Sequence, residues 1–276
     1  MPNHTEKNSK AFYFESYGVQ VRVECEDHEI FEDARDRARE ALAGNFRLVD
    51  PVETPHSYRL SREDRTYLLQ KDDRAFRHGE SKELFLKYFD SAVRITVAEY
   101  AVDRLFLHAG VVGWKGRAIL IPGTSFSGKT SLVHEFVRRG AEYYSDEYAV
   151  FDEEGLVHPF ARKIAMRSRP GGNEVIEMTY MTPEELGGTT AVGPVPVGFI
   201  LLTQFHEGSQ WQPEKVTHGK GVFEMLSHTI PIRYKPEFSL QVLKKVTANA
   251  IILKSFRPDA AEFSEMFLEI VDNKVF

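Results

Sequence analysis

Gly123-Thr124-Ser125-Phe126-Ser127-Gly128-Lys129-Thr130-Ser131 carries the pattern G-x-x-x-x-G-K-[ST], the spacing of a loop that cradles phosphate groups. The residue types explain the chemistry. Gly123 and Gly128 can take backbone angles closed to other residues, so phosphate oxygens can approach the main chain. The amides from Ser125 to Thr130 then point inward at the start of a helix, where the dipole favours an anion. Lys129 is set to reach the terminal phosphates, and the Thr130 hydroxyl to ligate Mg²⁺. The expectation is a site for the phosphates of a nucleotide, with ATP and Mg²⁺ as the species bound.

A second constellation follows one helix later. Asp146-Glu147 stands at the end of a short Tyr-rich segment, where an acidic pair comes close to phosphates bound by the preceding loop. A phosphoryl transferase needs two carboxylate functions: one to hold Mg²⁺ and one to take the proton of the attacking hydroxyl. Either acid can fill either role. Arg162, Lys163 and Arg167 follow, and a cation there could stabilise charge on the transferring group or simply sit on a solvated face. Asp72-Asp73, by contrast, has basic neighbours and turn-like surroundings and is expected to be a solvated turn.

The elements that position these groups can be read around them. Ala118-Ile119-Leu120-Ile121 is a short apolar run expected to form a buried strand. Leu132, Val133, Phe136 and Val137 recur at helical spacing after the loop, Arg138 and Arg139 suit the helix C-terminus, and Gly140 is the stop. Phe106–Val112 is apolar apart from His108, and Gly113–Gly116 turns it back into the Ala118 strand. A lone histidine in such a run is ordinarily a hydrogen-bonded core residue. Further strands are expected at 197–203 and 250–256, short helices at 221–228 and from Asp259 onward, and a Gly/Thr/Pro-rich loop over 187–196.

The first third patterns differently. Val19, Val21 and Val23 alternate with Gln20 and Arg22, as in a half-buried strand, and a helix is expected over 29–42, ended by Gly44. Two short strands are expected near 57–60 and 66–69. A long helix is predicted from Glu83 to Phe106, with Leu84, Tyr88, Ala92, Ile95, Glu99 and Val102 along one side and its aromatics packed on the phosphate-binding domain. The expected organisation is α/β: a disordered tail over 1–10, a small N-terminal α+β domain over 11–105 and a P-loop domain over 106–276.

Composition narrows the class. At 276 residues, 42% hydrophobic and 28% charged, the chain has ample material for a globular core. A net charge of −6 argues against a nucleic-acid surface. Cys25 is the only cysteine, so no internal disulfide can form. With no apolar run of membrane-spanning length, the expectation is a cytoplasmic protein without membrane partners. Self-association into a homo-oligomer stays open.

Taken together, residues 107–151 resemble the catalytic domain of HPr kinase/phosphorylase and its related kinases. The likeness rests on Leu107-His108-Ala109 before a glycine turn, Gly123-x-Ser125-x-x-Gly128-Lys129-Thr130, a helix closing with Arg139-Gly140, and Asp146-Glu147 soon after. The strand at Val197 and the closing strand and helix also look similar. This family shares its nucleotide-binding core with ATP-dependent phosphoenolpyruvate carboxykinase. The resemblance implies a P-loop fold of that type, a histidine near the active centre at His108, and an acidic pair supplying a general base (Asp146) and a metal contact (Glu147, beside Thr130). The chain departs from the pattern at Phe126, where glycine is common, and at Glu147, where Asp is usual. Its first hundred residues do not resemble the N-terminal domain of the authentic enzyme. HPr as acceptor and the reverse reaction are therefore not implied. The expected activity is ATP- and Mg²⁺-dependent phosphorylation of a hydroxyl, serine in a peptide, protein or small molecule. A carboxykinase-like enzyme and a nucleotide-binding scaffold without phosphotransfer are the alternatives.

Overall fold

A computed structural model of the chain describes residues 9–124, 127–167 and 178–273. Ser125 and Phe126 lie outside the described residues, as do most of the tail expected over 1–10 and residues 168–177, which include the loop expected over 168–172. The chain divides into two compact units, one through Asp103 and one from Arg104.

The first unit contains β1 (Lys10–Ser16), β2 (Val19–Cys25), α1 (His28–Ala41), β3 (Arg47–Val49), β4 (Ser57–Glu63), β5 (Thr66–Lys71), β6 (Arg74–Gly79) and α2 (Lys82–Tyr100). Its strands form one six-stranded sheet in the order β3-β1-β2-β4-β5-β6. Strict alternation along β2 buries Val19, Val21, Val23 and Cys25, against which both helices pack to make a single core. Asp72 and Asp73 form the β5–β6 turn, both at positive φ.

Helix α2 departs from the sequence expectation in length and face. It stops at Tyr100, and β7 begins at Leu105. Its inward residues are Phe85, Leu86, Phe89, Ala92, Val93, Thr96 and Val97, while Leu84, Tyr88, Ile95 and Val102 are exposed. Both sets follow the 3.6-residue period and share only Ala92, so the difference is one of face: the side carrying Phe85 and Phe89 is the one turned inward. Phe85 and Phe89, expected to pack outside their own unit, lie in its core, Phe85 tilted against Tyr67 and Phe89 edge-to-face with Tyr58.

The second unit is a mixed α/β layer structure. It runs β7 (Leu105–Trp114), β8 (Arg117–Pro122), α3 (Lys129–Arg138), β9 (Glu142–Ser145), β10 (Tyr148–Phe151), β11 (Leu156–His158), β12 (Ile164–Arg167), β13 (Met178–Met181), β14 (Thr189–Thr190), β15 (Val195–Phe205), β16 (Glu214–Lys215), α4 (His218–Leu226), α5 (Pro236–Ala248), β17 (Ile251–Arg257) and α6 (Ala260–Asp272). Strand β8 lies between β7, to which it is antiparallel, and β15, to which it is parallel; β15 in turn is parallel to β17. The stretch expected to be loop over 187–196 contains the short β14 and the first two residues of the long β15.

Both faces of β8 are covered. Ile119 and Ile121 face a core shared with α3 and α6, while Ala118 and Leu120 face one shared with α4 and α5. Burial on both sides is the reason this strand reads as an unbroken apolar run. Among the described residues, no helix is long and apolar enough to cross a membrane.

Candidate functional site

The directions of the strands bring the sequence candidates to one edge of the sheet. Strand β8 ends at Pro122, where Ala109 of antiparallel β7 faces it, so His108 lies beside the point at which the glycine loop leaves. The amide of Gly123 donates to the carbonyl of His108 at 3.3 Å. Strand β9 is antiparallel to β7 and pairs Ser145 with Val111, so its last residues emerge at the same edge. The Asp146-Glu147 corner follows there, and Tyr148 then pairs with His108.

Gly128 begins α3 in the left-handed region at φ 84°, and no side chain caps the helix. The first-turn amides of such a helix have no partners within it, which suits an anion. Ser127 adds a buried hydroxyl with no hydrogen-bond partner among the described residues. Lys129 is only 7% exposed, and its Nζ donates to the carbonyl of Thr124 at 2.6 Å. Burial lowers its pKa, while Asp146 and Glu147 pull the other way. The ammonium thus shares a field with both carboxylates. Ser131 continues the first turn.

Asp146 accepts a hydrogen bond from the Tyr143 hydroxyl at 2.9 Å and another from the Thr130 hydroxyl. Its pKa is raised, chiefly by burial and then by the charge of Glu147, with the two hydroxyl bonds opposing the rise. Glu147 pairs with Arg162 at 3.1 Å. The corner is shaped by Ser145, whose Oγ accepts from the amides of Glu147 at 3.1 Å and Tyr148 at 3.0 Å, a local side-chain turn. Of the three downstream cations, Arg162 reaches the acidic pair; Lys163 is exposed, and the side chain of Arg167 lies outside the described residues.

His108 is half-buried, and its Nδ1 lies 2.9 Å from the carbonyl oxygen of Glu147. A carbonyl only accepts, so this contact places a proton on Nδ1. His228, from the turn after α4, is a neighbour that sequence reasoning missed. Its carbonyl accepts from the His108 amide at 2.8 Å, and its pKa is lowered by burial and by the charges of His108 and Lys129.

Arg257 was missed as well. It ends β17, is buried, and donates to the carbonyl of Gly128 at 3.1 Å. No local motif marks it. A cavity of about 900 Å³ opens beside the loop, with Gly123, Thr124 and Ser127 on one wall and residues of β15, β17 and α4 on the others.

The donor set suits a Mg²⁺–nucleotide. Thr130 and an adjacent carboxylate offer the one or two protein oxygens that Mg²⁺ takes while phosphates and water complete its shell, and the unpartnered Ser127 hydroxyl is a donor aimed within the loop. Among the described residues, no group of three or more His, Cys, Asp or Glu side chains is placed to hold a metal by itself. Compared with known proteins, the chain matches no family model and none of the curated proteins.

Proposed function

We propose that this chain is an ATP- and Mg²⁺-dependent kinase that transfers the γ-phosphate to a hydroxyl, serine in a peptide, protein or small molecule, on a P-loop domain of the HPr kinase/phosphoenolpyruvate carboxykinase type. The observation that carries the reading is the convergence at Thr130. It begins α3 beside Lys129, and its hydroxyl reaches Asp146, a carboxylate in the field of Lys129. Phosphate donors, a metal-ligating hydroxyl and a basic carboxylate are thereby gathered in one place.

The roles follow from the environments. The loop amides and Lys129 hold and orient the triphosphate. Asp146, whose proton affinity burial has raised, is the stronger base and accepts the proton of the attacking hydroxyl. Thr130 and Glu147 would hold Mg²⁺, which when bound neutralises charge on the β- and γ-phosphate oxygens. His108, whose Nδ1 donates to the Glu147 carbonyl, lies against the acidic corner and helps orient the acceptor. The hydrogen bond from Thr130 to Asp146 favours the inverse allocation, with Asp146 on the metal, and mutation of each acid separates the two.

The test is incubation of the purified chain with γ-labelled ATP, Mg²⁺ and a mixture of free serine, seryl peptides and proteins. Label on a hydroxyl acceptor, abolished in Lys129→Met, is the expected result. Nucleotide binding without transfer to any acceptor would instead support a scaffold, and release of label only into products of carboxykinase chemistry would support the other enzyme class.

A further inference from the structure

The cavity beside the glycine loop lies mainly on the β15 and β17 side of β8, and His228, whose carbonyl accepts from the His108 amide, closes the end nearest the acidic corner. Its walls include Pro122 at the end of β8, Leu202 of β15 and Lys254 of β17. Leu202, Thr203 and Gln204 of β15 and their parallel partners Lys254, Ser255 and Phe256 of β17 all line it, so the cavity lies against the C-terminal halves of three parallel strands. Open α/β sheets bind their ligands in that position. By contrast, Asp146, Glu147 and His108 belong to the β7, β9 and β10 side. A triphosphate anchored on the loop between them has its transferring end toward the acids and its other end in the cavity.

The lining has the chemistry of a nucleoside site. Phe256 is 56% exposed although it stands on a strand paired on both sides; it is part of the cavity wall, and its ring lies 5.4 Å from that of His206. Glu224 of α4 is also in the wall, held by Lys254 through a 2.6 Å ion pair. A carboxylate has more lone pairs than one ammonium contact uses, and vicinal hydroxyls are natural donors to it. At about 900 Å³ the space lies within the usual range for small-molecule sites.

We infer that this cavity takes the base and ribose of a nucleoside triphosphate, with the base stacked on Phe256 and the ribose hydroxyls on Glu224. The inference rests on the phosphate-loop reading above. It also assigns the acceptor to the other side of β8, near His108 and Arg162.

The test uses the full chain and calorimetric titration with ATP, 2′,3′-dideoxy-ATP and inorganic tripolyphosphate, each with Mg²⁺. Phe256→Ala is expected to weaken ATP by roughly 5- to 150-fold, the range of base–aromatic stacking losses, and to leave tripolyphosphate within about two-fold, as a stacking contact has no reach to the phosphates. Glu224→Gln is expected to weaken ATP and to leave the dideoxy analogue unchanged. Because Phe256 is exposed, its truncation hollows no core. If the wild-type chain binds both ATP and tripolyphosphate, and Phe256→Ala alters neither or both equally, the cavity is not the nucleoside site while the loop reading stands. A change confined to the KM of the acceptor would hand the cavity to the acceptor and overturn the assignment. If wild type binds neither ligand, the loop reading fails and the inference falls with it.

Discussion

Arg257 donates from Nη2 to the carbonyl oxygen of Gly128 over 3.1 Å, joining residues 129 positions apart. Its Nη1 donates to the carbonyl of Pro258 at 3.0 Å, and its guanidinium lies 5.8 Å from the ring centre of Phe205. The end of β17 therefore holds the glycine from which α3 starts. A Cβ on Gly128 would stand 2.6 Å from Nη2 and displace the guanidinium, and the φ of 84° itself favours glycine at this position.

Arg257→Met is expected to leave two carbonyls without this donor and to destabilise the chain by about 1–3 kcal/mol, the usual cost of an unsatisfied buried group. Nucleotide KM should rise more than kcat falls, since Arg257 acts on the loop and not on the reacting atoms. Thermal melts and steady-state kinetics check both, and Arg257→Lys should recover part of the KM effect. Wild-type KM in the Met variant would remove Arg257 as a positioning residue.

Tyr143→Phe takes away one of the two hydroxyl bonds that oppose the raised pKa of Asp146. The bond favours the charged carboxylate, so its loss raises the pKa further. If Asp146 must be ionised to act as base, the rising acid limb of the kcat–pH profile moves to higher pH. An unmoved limb in a folded variant would show that Asp146 does not govern it.

The acidic corner allows the two allocations to be told apart. With Asp146 as base, Asp146→Asn lowers kcat by about 10²–10⁴-fold and keeps nucleotide Kd within a few-fold. Glu147→Gln then raises the Mg²⁺ concentration needed for half-maximal rate. The reverse pattern in the two variants transfers the base role to Glu147. Wild-type kinetics in both would make the corner a surface turn and end the proposed mechanism.

Lys129 is buried with its charge penalised by that burial. Lys129→Met should therefore melt at the wild-type temperature or above it, yet bind nucleotide roughly 10- to 100-fold more weakly, the loss of a charge-assisted hydrogen bond of about 1.5–3 kcal/mol. Calorimetry and a thermal melt decide it. A large drop in melting temperature would make Lys129 a structural residue first.

Cys25 is buried in the first unit, and burial pushes its thiol up to about 12 from the ordinary value of 9.0. The folded thiol keeps its proton where the unfolded one loses it. Its stabilising difference is complete below pH 9 and drains away as pH rises from there toward 12. An Ellman-type reagent at pH 8 should react only as the first unit unfolds. Rapid labelling of the native chain would contradict the burial.

What the sequence determined by itself is local. The apolar run at 118–121, the glycines at 123 and 128 and the stripe Leu132, Val133, Phe136, Val137 specify strand, loop and helix through backbone sterics and periodicity, which act over a few residues. The alternation Val19, Val21, Val23 is legible for the same reason. Helix α5 carries the same kind of local signal, with Pro236 at its first turn and Val242, Leu243 and Val246 at inward spacing. For α2 the period was visible, but the choice between Leu84–Tyr88 and Phe85–Phe89 as the inward edge depended on which face met the sheet.

Tertiary structure alone decided the rest. The partnership of Arg257 with Gly128, the approach of His228 to His108 and the cavity between the loop and β17 each join residues on separate strands or helices. Their proximity comes from strand order, with β15 and β17 laid parallel beside β8. That order is set by burying both faces of the sheet at once, an energy summed over the whole core that no short stretch of sequence carries.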